Sequence, residues 1–449
     1  MPATTHHTQT RPTSQAAARL QDPRGDAQVQ HPPSNPLPGA GRLKLFYFKW
    51  KEVTQNNLIF KIIQYGYKIQ FHTEPNMQTL PSPSFSNSRS LVISSEVSAL
   101  YIKTAINKIT PSTNQFVSPI FDVPKKDSKD RRVILNLKFL NTFIVKTKFK
   151  LEGFYCISSL VCRGDFLVSI DLKDAYLMFS MHEETVDYLC FDWDGIRYYY
   201  QCMPFGLTSA PRIFTKVLKV VLVFLRSRSI KASAWFDDII IAANSISLIL
   251  ENLYFTKLLL KSLGFIINEQ KSSLSPSQKM CHLGYIWDTV SYTLSVPEEK
   301  VIALKQKCIY ALEHPVSLRF LQKILGTIEA FRTAFPLAAL YYRGIQKQVA
   351  SNISANSPWD KIVSPSARAR KDLNWWISCP NCLPPKPLDP FTPQIILTTD
   401  SSSEGWGAFT SLDTEVSGHW SEDESVLHNN FFRNQGSIIC PSISFQRYS

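Results

Sequence analysis

Two adjacent carboxylates set the tightest limit on how this chain folds. Asp237 and Asp238 stand in "SAWFDDIIIAAN", between an aromatic pair and three isoleucines. Burial disfavours ionised carboxylates, and mutual repulsion adds to the cost unless cations hold the pair. A hairpin tip would present both side chains to a cleft while the flanking apolar residues stay inside. Taken alone, such a pair in a chain of 449 residues is more often a solvated turn, so the surrounding sequence has to decide.

A second run, "FLVSIDLKDAYLMF", carries Phe166, Leu167, Val168 and Ile170 straight into Asp171, with Asp174 three residues later. A carboxylate at the end of a buried strand is another candidate metal ligand. Two-metal phosphoryl transfer needs carboxylates from separate strands, converging on hard cations about 4 Å apart. Asp171 together with Asp237 and Asp238 fits that requirement.

Around these runs the sequence divides into units. Residues 1–41 are rich in Pro, Thr, Gln, His and Ala and lack apolar periodicity, which predicts a disordered tail. Residues 42–95 read as a small extension with Trp50, Ile59, Ile62, Ile63 and Tyr67, followed by a Pro/Ser linker. Helical spacing is expected over 96–109, strands over 133–137, 167–171, 234–242 and 291–296, and helices over 208–225 and 248–263. Such mixing makes 96–296 an α+β core. Residues 297–390 turn helical, with Leu321, Ile324, Leu325, Ile328 and Phe331 on one face, and 391–449 begin a third unit with strand-like residues 395–399.

Lys and Arg outnumber Asp and Glu by 49 to 36, and aromatics make up 12% of the residues, a balance suited to a polyanionic partner. The nine cysteines are scattered, with Cys379 and Cys382 alone in C-x-x-C spacing, so reduced thiols in an intracellular protein are expected; nucleus and cytoplasm are not distinguished. No run of about 18 apolar residues offers a membrane span.

Taken in order, "VPKKDSKDRRVILNLKFLN", "SIDLKDAY", "QCMPFGLTSAPRIFTKVL", "WFDD", "LGFIINEQKSSLSPSQ" and "CHLGY" resemble the successive motifs of retroelement reverse transcriptases. The later "ILTTDSSSEGWGAF" resembles the start of a retroelement RNase H domain, and the whole arrangement is most similar to the DIRS group of retrotransposons. The resemblance implies a right-hand polymerase: fingers and palm, a helical thumb and connection, and an RNase H-like α/β unit.

It also implies roles. Asp171, Asp237 and Asp238 would bind two Mg²⁺ ions, or Mn²⁺, helped by the carbonyl of Leu172. Lys125 and Arg132 match the fingers residues that grip a triphosphate, a task suited to a point charge and a planar fork. Tyr176 would underlie the nucleotide sugar and exclude a 2′-hydroxyl, so dNTPs are the implied substrates on a primed RNA or DNA template. Phe205 and Gly206 would lie against the nascent base pair. Lys271 matches a lysine that could act as general acid at pyrophosphate. Lys126, Lys129 and Arg131 are expected to face solvent or template.

Two departures stand out. Trp235 replaces the family's usual Tyr before the Asp pair. In the RNase H-like unit only Asp400 is in place among the acids such a site needs, and 431–449 contain none. A truncated unit without RNase H activity is expected. The competing readings are an inactive nucleic-acid-binding relic and a nuclease built on Asp400. Oligomeric state is left open.

Overall fold

The computed structural model describes residues 39–124, 131–353, 359–389, 397–402, 404–411 and 414–421. Its fold is α+β. The chain opens with α1 (Tyr47–Val53), α2 (Asn57–Tyr65) and α3 (Asn87–Ile102). The Asn56 side chain caps α2 by accepting from the amides of Leu58 and Ile59. Trp50 is fully buried in the main core, its indole N–H donating to the Leu263 carbonyl at 3.1 Å. Residues 39–41 are packed rather than part of a disordered tail: Ala40 is buried, and the Gly41 amide donates to the Leu177 carbonyl at 2.8 Å. Residues 1–38, the rest of that predicted tail, lie outside the described residues.

The helix expected over 96–109 is displaced. It is α3, which ends at Ile102, after which Thr104 adopts φ 58° and turns the chain into β1 (Ile106–Lys108). Next come the hairpin β2 (Ile120–Pro124) and β3 (Arg131–Leu135), then α4 (Phe154–Leu160) and β4 (Phe166–Asp171). β5 (Cys190–Trp193) and β6 (Ile196–Tyr200) form a sheet with β1. After α5 (Ala210–Arg226), the single strand expected over 234–242 is instead a hairpin of β7 (Lys231–Trp235) and β8 (Asp238–Ala243); α6 (Ile246–Ser262) and β9 (Ser273–Ser277) follow.

The antiparallel sheet β7-β8-β4-β9 explains why an isoleucine run surrounds the carboxylates. Successive strand residues point to opposite faces. Ile239, Ile241 and Ala243 enter one core, shared with Ile213, Phe214, Val217, Leu218, Val221 and Leu225 of α5. Ile240 and Ala242 enter a second core on the other face. With both faces covered, β8 has no room for alternation with polar residues until it reaches Asp238. A bidentate pair of Arg226 with Glu152, whose carboxylate also accepts from Ser233, ties the end of α5 to β7 and to the segment before α4.

The second core is helical. β10 (Lys279–His282), β11 (Tyr285–Asp288) and β12 (Thr293–Ser295) lead to α7 (Glu298–Glu313), β13 (Val316–Ser317), α8 (Leu318–Phe331) and α9 (Arg343–Asn352). Leu321, Ile324, Leu325, Ile328 and Phe331 are the buried stripe of α8, and the side chain of Ser317 caps its start. β14 (Ile362–Val363) pairs with β13, α10 (Ala367–Ser378) packs Leu373 and Trp376 inward, and β15 (Lys386–Pro387) pairs with β12. The strands β16 (Leu397–Ser401), β17 (Gly405–Thr410) and β18 (Glu415–His419) form an antiparallel meander. Residues 422–449, on which the expected truncation rests, lie outside the described residues. No helix among the described residues is long and apolar enough to cross a membrane.

Candidate active site

Register brings the carboxylates together. Asp171, the last residue of β4, pairs with Asp238, the first residue of β8, while Asp237 occupies the two-residue turn with Phe236. Phe236 has φ 54°, a left-handed conformation that is costly for a bulky residue and is met most often at functional turns. The turn is locked from below: the Leu172 amide donates to the Asp237 carbonyl at 2.9 Å. A loop also holds the end of β4. The Asn268 amide donates to the Asp171 carbonyl at 2.8 Å, the Asp171 amide donates to Ser272 Oγ at 3.0 Å, and that hydroxyl donates to the Asn268 carbonyl at 2.7 Å.

Electrostatics at this tip are unfavourable without positive charge. Burial, followed by the nearby Asp171 and Asp237, pushes Asp238 up to about 6, although 39% of its side chain remains accessible. Asp237 is raised first by burial and then by Asp171; a hydrogen bond within its own residue and the charges of Lys271 and Arg132 offset part of this. The donor set is all hard oxygen, which suits Mg²⁺ or Mn²⁺. Among the described residues no three His, Cys, Asp or Glu side chains converge closely enough to cage an ion without movement. The chemistry of the donors and their uncompensated charge nonetheless fit a divalent cation.

Beside the turn lies a cavity of about 270 Å³ lined by Arg132, Asp174, Ala175, Tyr176, Phe205, Phe214, Phe236 and Asp237. Arg132 sits over the Phe205 ring at 4.5 Å, and Tyr176 stands edge-on to Phe205 and Phe214 at 5.4 and 5.7 Å. Burial and Asp237 push the Tyr176 hydroxyl up to about 12, so the ring stays neutral. Lys103 pairs with Asp174 at 2.9 Å on the rim.

Gly206 has φ +99°, and a Cβ there would lie 2.8 Å from the Leu135 carbonyl oxygen. Asn141 clamps this turn, donating to the Gly206 carbonyl at 2.8 Å and accepting from the Thr208 amide at 2.9 Å. Trp235 is partly exposed and lies against Gly153, where a Cβ would come within 3.2 Å of the indole.

The remaining candidates are placed as follows. Leu172 is buried directly after Asp171, and Lys271 is exposed on the loop that holds β4. Lys125, with Lys126 and Lys129, lies outside the described residues. Arg131 is partly exposed, and it and Arg89 pair with the buried Asp122. Asp400 lies in the separate meander, opposite Gly407. Sequence reasoning passed over Asn141, Asn268, Ser272 and His282. All four sit inside the motif strings, but nothing in their spacing announces the backbone groups and carboxylates they meet.

The mixed α+β fold places the three carboxylates at one strand end beside a cavity. Residues 123–287 match the family model described as reverse transcriptase (RNA-dependent DNA polymerase), so the chain carries a reverse transcriptase domain. Its relatives are retroelement and viral polyproteins. The enzymatic polyprotein of Figwort mosaic virus (strain DxS) is 24% identical over 302 residues, covering 67% of this chain and 43% of the relative. The retrovirus-related Pol polyprotein from transposon opus of Drosophila melanogaster is 26% identical over 320 residues, covering 68% and 30%. The chain therefore spans less than half the length of these relatives.

Among solved structures, a foamy viral protease-reverse transcriptase in complex with RNA/DNA hybrid matches with a TM-score of 0.59 at 15% identity, covering 90% of this chain and 56% of that one. A dRH form of the foamy viral protein in complex with dsDNA matches with a TM-score of 0.61 at 16% identity, covering 92% and 75%.

Proposed function

We propose that this chain is an RNA-directed DNA polymerase of a retrotransposon, extending a primer on an RNA or DNA template. The observation that carries the reading is the pairing of Asp171 with Asp238 at the mouth of the cavity that Arg132, Tyr176, Phe205 and Asp237 line. The reverse transcriptase match supports it, as does the formal charge of +13, which favours phosphate-directed, salt-sensitive duplex binding.

Asp171, Asp237 and Asp238, with the Leu172 carbonyl, would hold Mg²⁺ as two ions, and Mn²⁺ in its place. Bound there, the ions would activate the attacking hydroxyl and neutralise charge on the leaving oxygens. Arg132 and Lys125 would hold the dNTP triphosphate by bidentate and point-charge contacts. The primer 3′-oxygen attacks the α-phosphorus, a new P–O bond forms, and the α–β P–O bond breaks to release pyrophosphate. The hydroxyl proton leaves with solvent, and Lys271 Nζ delivers a proton to the departing pyrophosphate oxygen. Positioning and charge neutralisation supply most of the rate. The Tyr176 ring, held edge-on between Phe205 and Phe214, would crowd a 2′-hydroxyl and favour dNTPs.

The finer assignment to the DIRS group rests on the order of the motifs together with the RNase H-like start at Asp400. RNase H activity is proposed absent on the sequence reading alone, in which residues 431–449 carry no acidic side chain. RNA cleavage in a hybrid that disappears with Asp400→Asn would overturn this. An intracellular setting without membrane insertion completes the reading.

The deciding experiment is dNTP incorporation on a primed RNA template with Mg²⁺, comparing the native chain with Asp237→Asn/Asp238→Asn. Extension lost in the double variant supports the polymerase. No extension from a folded native protein that still binds the primed template would favour the inactive relic.

A further inference from the structure

His282 ends β10, outside the strands that carry the carboxylates, yet its ring reaches them. The side chain is 1% exposed, and Nδ1 lies 3.4 Å from Oδ2 of Asp238, a close contact slightly longer than a formed N–H···O hydrogen bond. Its strand is held firmly. The Trp287 indole N–H donates to the His282 carbonyl at 3.2 Å, the residue pairs with Tyr285 across the hairpin, and Lys300 bonds the Gly284 carbonyl at that hairpin's tip.

The tautomer follows from what surrounds the ring. Nε2 is buried and has no partner among the described residues. With the proton on Nδ1, the ring donates to a carboxylate, and only a lone pair is left bare at Nε2. With the proton on Nε2, a buried N–H would be orphaned and the Nδ1 lone pair would oppose a carboxylate oxygen, which costs more.

We propose that His282 is a positioning residue for Asp238, an Nδ1–H donor that fixes the carboxylate's orientation toward the cation and couples the β10–β11 hairpin to the β7–β8 turn. The proposal rests on reading the Asp cluster as a metal site. Donors behind a metal-binding carboxylate act in this way, holding one oxygen so that the other points at the ion. A phenylalanine would fill the same space without the donor, so His282 is not interchangeable with an apolar residue of similar size.

The test uses the full chain with His282→Phe and His282→Gln, and reads Mn²⁺ binding by calorimetry in the absence of nucleotide, alongside melting temperature and the Mg²⁺ dependence of dNTP incorporation. The expected result is a His282→Phe protein that melts like the native one yet binds Mn²⁺ on the order of 10-fold more weakly. His282→Gln, which restores a donor, recovers most of the affinity. In an Asp238→Asn background, His282→Phe should cost nothing further, because the coupling is then already lost.

Native-like Mn²⁺ binding in folded His282→Phe, or a Gln variant no better than Phe, would overturn the proposal. If His282→Phe does not fold, His282→Gln and the Asp238→Asn comparison decide it. A native chain that incorporates no dNTP, but whose Mn²⁺ binding still depends on His282, would remove the polymerase reading and leave the positioning role standing.

Discussion

Asp171 and Asp238 face each other across the β4–β8 ladder, each at the very end of its strand, and among the described residues no Lys or Arg forms an ion pair with either. Their separation is set by backbone hydrogen bonds, so substitution of either side chain leaves the ladder intact. Asp171→Asn is therefore expected to abolish primer extension while the melting temperature stays the same or rises. Parallel incorporation and thermal-melt assays check this, and a collapse of the fold would contradict it.

Stability should depend on pH in a particular direction. Asp238 is raised from its ordinary 3.8 to about 6, and Asp237 is also raised. The folded form thus binds protons more tightly than the unfolded one. The resulting stabilisation is fully present below the unfolded value and is lost as pH rises through about 6. Metal-free protein is expected to melt at a higher temperature at pH 5 than at pH 7.5 from this source, and Asp238→Asn should flatten that dependence. Mg²⁺ should recover stability at the upper pH, because a ligand of the native state stabilises it.

Tyr176→Ala is expected to admit ribonucleotides. Removing the ring opens the side of the cavity between Phe205 and Phe214, and discrimination between dNTP and rNTP should fall by about 10-fold or more, the scale of a lost shape contact. Competition kinetics with paired dNTP and rNTP measures it. Unchanged discrimination would show that another group polices the sugar.

Arg132→Lys keeps the charge but loses the planar fork and the stacking over Phe205. The expected outcome is a KM for dNTP raised by roughly 10-fold, equivalent to about 1.4 kcal/mol, with kcat less affected. Steady-state kinetics on a primed template decides.

Gly206→Ala should cost about 1–3 kcal/mol, since the new Cβ would meet the Leu135 carbonyl at a left-handed φ. Denaturant unfolding reads the loss, and Asn141→Ala should loosen the same turn without a steric clash.

Much of this was legible because the signals are local. The helices α5 and α6 announce themselves by apolar spacing, and β4 by a run of apolar residues ending in Asp171. The failures share a different cause. The helix expected over 96–109 breaks early because Thr104 turns the chain toward pairing with β6, a partner about 90 residues away that periodicity does not reveal. Arg131, expected to face solvent or template, is partly exposed, but its pairing with Asp122 was not foreseen because that partner lies on the facing strand of a hairpin. The strand over 234–242 divides because Phe236 accepts a conformation its residue type disfavours. His282 carries no sequence signal at all: its contact with Asp238 exists only once β10 is folded beside β4.

The packing of Trp50 against Phe265, and of Phe46 against Gly264, has a bearing on engineering. The stretch that matches the reverse transcriptase family begins at residue 123, yet the floor under α6 is built from residues 39–65. A transplant of the matched stretch alone would carry every palm carboxylate and still expose a bare apolar underside. The matched stretch is thus not a movable cassette: it folds on the preceding helices as its foundation.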